Sequence, residues 1–172
     1  GKLAIVRSIL AAEKDSLLYF EKRRVDSNID FESLKNTWYL SFFKLITESC
    51  NSDELKKRFK SITLIIFNYD RCIEHFLCNA LTGYYGISMQ DAIELVSVIN
   101  IYHPYGSVGS LLDNNGTTFM AFGSEPTSNQ LLQLAQNIKT FTEGTDPDSS
   151  EILAIRRHMA MANRIAYIGF AF

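Results

Sequence analysis

Two short polar clusters in this sequence carry the residue types that grip polar ligands and move protons. Asn68 and Asp70 flank Tyr69 in F-N-Y-D at 67–70, after an apolar run and before a helical stretch. There a carboxamide and a carboxylate can project into one crevice while the NH groups of a helix N-terminus face the same way, a corner suited to a polar ligand. The plainer role for the pair is architectural, with Asp70 capping the helix and Asn68 holding the turn. His103 stands in Y-H-P-Y-G-S at 102–107, and imidazole is the side chain best matched to proton transfer near neutral pH. Taken alone it reads as a turn or edge histidine. His75 and His158 fall within helical stretches, and no His, Asp and Glu set has zinc spacing, so no metal is expected. The segment G-S-V-G-S at 106–110 is like a phosphate-binding loop only superficially, because it lacks both G-x-G-x-x-G spacing and a helix directly after it.

The elements that must position these residues follow from periodicity. Residues 2–25 carry Leu3, Val6, Ile9, Leu10, Leu17, Leu18 and Phe20 at near-helical spacing and predict one long amphipathic helix. Asp30 is placed to cap a second helix whose apolar face runs through Leu34, Trp38, Phe42, Leu45 and Ile46. Residues 51–53 supply a break and the next cap, and a short basic helix follows at 54–60. Its Lys56, Lys57, Arg58 and Lys60 read as a solvated face. S-I-T-L-I-I-F at 61–67 is a β-branched, nearly uninterrupted apolar run of the kind a parallel strand buried on both faces shows. A helix at 71–81 ending by Gly83, and another capped by Ser88, lead to a second buried strand at 96–102. Residues 104–129 form a long loop with a short strand at 118–122. Helices at 131–141 and 151–163 precede a third strand at 165–168. Strands alternating with helices imply an α/β fold, a parallel sheet flanked by helices with a helix-rich N-terminal portion, and such sheets bind ligands beyond the carboxyl ends of their strands.

Composition bounds the function. The 172 residues fit one domain, with the helical region 2–60 a candidate subdomain. Apolar residues make up 47 % and aromatic residues 12 %, which excludes disorder. Seventeen Lys and Arg against nineteen Asp and Glu leave a net charge of −2, which argues against nucleic-acid binding through bulk positive charge. Cys50, Cys72 and Cys78 form no C-x-x-C pair and suggest neither a disulfide framework nor a tetrathiolate zinc site. No apolar run reaches membrane-spanning length and no signal peptide is recognisable, so a reducing cytoplasm is expected. Gly1 in place of an initiator Met, and a strand-like run close to Phe172, predict a piece truncated from a longer chain.

The ordered set T-L-I-I-F-N-Y-D-R-C-I-E, I-Y-H-P-Y-G-S-V-G and R-I-A-Y-I-G-F-A-F resembles the sirtuin-like domains of bacteria, including the NAD-cleaving effectors of antiphage defence. The resemblance covers about residues 55–172 and agrees with the helical region before it. It implies a Rossmann-like sheet. Residue by residue, it carries nicotinamide-ribose and carboxamide contacts to Asn68 and Asp70, the catalytic histidine to His103, and the phosphate and ribose turn to Gly169; Asn68 and His103 are the expected catalytic residues, and Gly106, Ser107 and Phe170 are expected to join Asn68, Asp70 and Gly169 in binding the cofactor. It also implies NAD as substrate and activation by self-assembly or a protein partner. The chain departs from the pattern in three places: Pro104 and Tyr105 intervene before Gly106, Ala171 replaces the serine of the last motif, and the glycine-rich loop expected before Lys2 is absent. Protein-deacetylating sirtuins resemble one another in a four-cysteine zinc module after the histidine, whereas no cysteine follows His103 here. NAD glycohydrolysis is therefore expected over deacylation, with a non-catalytic NAD or ADP-ribose sensor as the alternative. A helical interaction module, with residues 2–50 as a partner face, is a further class.

Overall fold

A computed structural model describes residues 1–20, 29–112 and 119–169. It is a mixed α/β structure of seven helices and a two-stranded parallel sheet among the described residues: α1 (Lys2–Lys14), α2 (Trp38–Thr47), α3 (Ser52–Phe59), β1 (Thr63–Ile65), α4 (Cys72–Tyr85), α5 (Met89–Val96), β2 (Asn100–Tyr102), α6 (Ser128–Gln136) and α7 (Ser150–Met161). β1 and β2 pair in register from Thr63 opposite Asn100 to Ile65 opposite Tyr102. The connection between them runs through α4 and α5, which gives the parallel pair the crossover it requires.

Local chemistry explains where the helices begin. Asn51 accepts from the Glu54 amide while Glu54 reaches back to the Asn51 amide, a reciprocal cap that starts α3. Thr127 and Gln130 do the same for α6, and the Ser88 and Ser149 hydroxyls cap α5 and α7. The expected long first helix stops at Lys14 instead, because the pattern turns polar at Lys14, Asp15 and Ser16 and the Ser16 hydroxyl takes the Glu13 carbonyl at 2.7 Å. Residues 21–25 of that expectation lie outside the described residues. Asp30 accepts from the Glu32 amide but only in a turn. Helix α2 starts later, at Trp38, and Leu34 reaches the core from the turn before it. Helix α4 does not end at Gly83 but continues to Gly86, whose φ of 65° closes it in the left-handed conformation. Gly83 serves contact, since a Cβ there would lie 3.0 Å from the Phe31 ring.

The third strand expected at 165–168 does not form. Those residues are exposed and join no ladder among the described residues, because an apolar run specifies a strand only when a partner edge supplies hydrogen bonds. At the loop, Phe119 makes an isolated bridge with Ser110 rather than a strand, and residue 118 lies outside the described residues. Among the described residues no helix is long and apolar enough to cross a membrane.

Two apolar clusters form the interior. The larger joins α2, α3, α4 and α5 to the sheet around Phe43, Phe59, Phe76, Leu77 and Val96. The smaller packs α1 on α6 through Val6, Leu10, Val108, Met120, Leu134 and Ile138. At their seam lies a fully buried ion pair. Glu13 receives the Arg71 Nε and Nη2 donors at 3.0 and 2.5 Å, the Arg71 amide at 3.2 Å and the Gly123 amide at 3.1 Å. Arg71 Nη1 also donates to the Met120 carbonyl. Removing one partner of such a pair strands a charge away from water, at a cost of about 3–5 kcal/mol, whereas replacing both with apolar groups of similar volume is often neutral. Urea unfolding of Glu13→Ala is accordingly expected to show a loss in that range, with most of it recovered in the double variant Glu13→Leu, Arg71→Met. A single-variant loss below about 1 kcal/mol would show that the pair does not hold the seam.

Candidate functional site at the strand tips

Because β1 and β2 are parallel and in register, their carboxyl ends emerge side by side. The Ile66 amide donates to the Tyr102 carbonyl at 2.8 Å, the last rung before the chains part. Two residues later stands Asn68, and one residue after Tyr102 stands His103. The topology therefore brings together the two residues singled out for chemistry, with His103 Nδ1 3.3 Å from the Asn68 carbonyl oxygen.

Each candidate has a definite place. Asn68 is exposed, and its carboxamide makes no hydrogen bond to the described residues. Asp70 accepts from the Cys72 amide at 3.1 Å and so supplies the turn into α4, whose N-cap position is taken by the inward-turned Arg71. Both Asn68 and Asp70 line an open groove of about 1040 Å³ walled by Trp38, Tyr39, Phe67 and Tyr105, with His158 and residues 161–169 on its far side. Gly169 belongs to that far wall, and Phe170 lies outside the described residues. His103 does not line the groove. Its ring is mostly buried, and Nε2 donates to Glu74 Oε1 at 2.8 Å.

Gly106 and Ser107 do not reach the groove. The Gly106 amide closes a turn on the His103 carbonyl at 2.7 Å, and Gly106 has a φ of 82°, with its absent Cβ pointing at the Asn137 carbonyl only 1.8 Å away. The Ser107 hydroxyl donates to the Gly109 carbonyl. This loop is clamped to the end of α6: the Lys139 amide donates to the Tyr105 carbonyl, the Tyr69 hydroxyl to the Lys139 carbonyl, and the Val108 amide to the Tyr69 carbonyl. The clamp holds both tips to one another through residues 137–139. His75 is engaged elsewhere, on the Leu18 carbonyl and stacked against Phe122.

The electrostatics centre on Glu74, which reading by motif missed. It lies on the first turn of α4, nine-tenths buried, and its Oε2 has no hydrogen-bond partner among the described residues. A signal was present in the sequence: Glu74 stands on the stripe of Leu77, Cys78 and Leu81, an acid on an apolar helical face. Burial opposes the charged His103 ring, but the hydrogen bond and charge of Glu74, the Asn68 carbonyl and the Asp70 charge outweigh it, so the His103 pKa is raised above its ordinary 6.5. The Cys72 thiol, beside Asp70 and Tyr39, is pushed well up by burial and then by the Asp70 charge, and burial pushes the Cys78 thiol up to about 12. These two thiols stay protonated at neutral pH and are poor nucleophiles. Among the described residues no group of three or more His, Cys, Asp or Glu side chains is placed to hold a metal ion.

Comparison with known protein families, with curated proteins and with solved structures finds no match for this chain.

Two outcomes follow from the geometry. Gly106→Ala forces a side chain into a backbone carbonyl at positive φ, and denaturant melts are expected to show a loss of about 2 kcal/mol or more; an unchanged midpoint would refute the clamp. Because the folded pKa of His103 is raised, its contribution to stability is complete below the unfolded value near 6.5 and is lost as pH rises through the folded value. The stability gap between the parent protein and His103→Ala should therefore be widest in mild acid and shrink in mild alkali.

Proposed function

We propose that this chain is an NAD-hydrolysing domain of the sirtuin-like kind, built on a Rossmann-like arrangement. Its site is the groove end at the tips of β1 and β2. The observation that carries the reading is the juxtaposition of N-x-D and the histidine: Asn68 and Asp70 line the groove, and the Asn68 carbonyl meets the His103 ring at 3.3 Å. Aromatic walls at Trp38, Tyr39, Phe67 and Tyr105 offer faces for flat heterocycles, and Lys60 and Arg164 on the lining offer cations for a diphosphate.

The chemistry asked of these groups is modest in kind. Water attacks the anomeric carbon of the nicotinamide ribose, the carbon–nitrogen bond breaks, and its electron pair neutralises the pyridinium. A proton from the water passes to His103. The products are nicotinamide and ADP-ribose, and the proton is later released to solvent. The transition state is oxocarbenium-like, as in glycoside cleavage. Asn68 would orient water or ribose and Asp70 the leaving carboxamide.

In the present arrangement His103 Nε2 is held by Glu74 and Nδ1 faces the Asn68 backbone carbonyl, so a lone pair on Nδ1 meets no proton donor until the Asn68 contact opens. That suits a cytoplasmic effector of antiphage defence that stays silent until self-assembly or a partner rearranges the tip. The same observation, with His103 lying outside the groove lining, favours a second reading in which the groove only senses NAD or ADP-ribose.

NAD consumption, followed by chromatography of nicotinamide and ADP-ribose, decides between them on the longest natural chain containing these residues. The parent, assembled and triggered, should consume NAD, and Asn68→Ala and His103→Ala should each be slower by about 10²-fold or more. Intact NAD in the parent with binding still measurable by calorimetry would replace hydrolysis with sensing.

A further inference from the structure

The groups around His103 assign its two nitrogens to different tasks. Nε2 faces the Glu74 carboxylate at 2.8 Å in the interior, and Nδ1 faces outward to Asn68, the groove residue, at 3.3 Å. Both neighbours are acceptors, the Glu74 carboxylate at 2.8 Å and the Asn68 backbone carbonyl at 3.3 Å, and the charged, closer carboxylate is the stronger, so in the neutral ring the proton stays on Nε2 and the lone pair lies on Nδ1. We infer that Glu74 is a positioning residue: it holds His103 in the Nε2–H tautomer, making Nδ1, on the Asn68 side, the nitrogen that takes up a proton.

Glu74 also supplies a reason for the ring to take that proton. Its side chain is nine-tenths buried, Oε2 has no partner among the described residues, and Oε1 meets the His103 ring at 2.8 Å. A carboxylate so poorly compensated is stabilised when the ring gains charge, which strengthens Nδ1 as a base. The charged and titratable groups that act on the ring are Glu74 from α4 and Asp70 from the turn before it, both acidic and acting in the same sense. When Nδ1 accepts a proton from water or a ribose hydroxyl, the Nε2 proton remains on the Glu74 side and the ring becomes imidazolium.

The catalytic consequence rests on the hydrolase reading, but the tautomer does not, and the experiment separates the two. In the unsubstituted protein labelled with ¹⁵N-histidine, long-range NMR correlations above the His103 titration should show Nε2 protonated and Nδ1 bare. The opposite tautomer overturns the assignment, whatever happens to NAD. Glu74→Gln, close in shape and without the charge, should lower the His103 titration midpoint and reduce kcat for NAD cleavage by about 10²-fold, with KM altered less than about threefold. An unchanged midpoint in a folded Gln variant overturns the role of Glu74. Should the tautomer and the midpoint behave as expected while the parent leaves NAD intact, the positioning role stands and hydrolysis falls.

Discussion

The buried pair of Glu13 and Arg71 is the constraint on which the rest of the structure hangs. It lies where the two apolar clusters meet, and its hydrogen bonds draw α1, the entrance to α4 and the 120–123 loop onto one point. Met120 belongs to one cluster and Phe122 to the other, so the loop that satisfies the guanidinium also crosses the seam. Neither charge can leave without stranding its partner. The position of Arg71 has a second effect, because it stands one residue after Asp70 and three after Asn68. Anchoring Arg71 fixes where β1 gives way to α4, and with it the groove edge.

Helix α4 then carries that placement to the other strand tip. Within its first turn, Arg71 reaches back to α1, Cys72 receives the Asp70 cap, and Glu74 holds His103. One rigid turn thereby locates the groove carboxylate, the histidine and the seam together. Asp70 is caught between two uses, since the oxygen that stops the helix amide is attached to the same carboxyl that borders the groove.

Much of this was legible in the sequence where the cause is local. The caps at Asn51 and Ser88 are written in residues three apart, and the cores of both strands lie within their apolar runs, whereas the equally local Thr127 cap starts α6 at Ser128, ahead of the expected 131. What escaped depends on partners far along the chain. Glu13 continues the Val6 and Leu10 stripe and Glu74 the Leu77 and Leu81 stripe, so each was visible as an acid on an apolar face, but nothing local names Arg71 or His103 as the counterpart. The run at 165–168 shows the converse failure. Its composition suits a strand, yet pairing is a property of the edge it would join, and that information is not in the run. Gly106 is a related case: a glycine that spares room for a backbone carbonyl looks, in one dimension, like a glycine that spares room for a phosphate.

The reach of the seam contacts also sets an order of events during synthesis. Glu13 meets Arg71 across 58 residues and the Gly123 amide across 110. At about 5–20 residues per second, the Glu13 carboxylate leaves the ribosome on the order of ten seconds before the amide that completes its shell has been made. Until Arg71 has emerged, α1 has an acid on its apolar stripe and only water to satisfy it, so the nascent helix carries a solvated charge that later seals it inside. The α2–α5 unit can condense first, and the N-terminal helix docks afterwards.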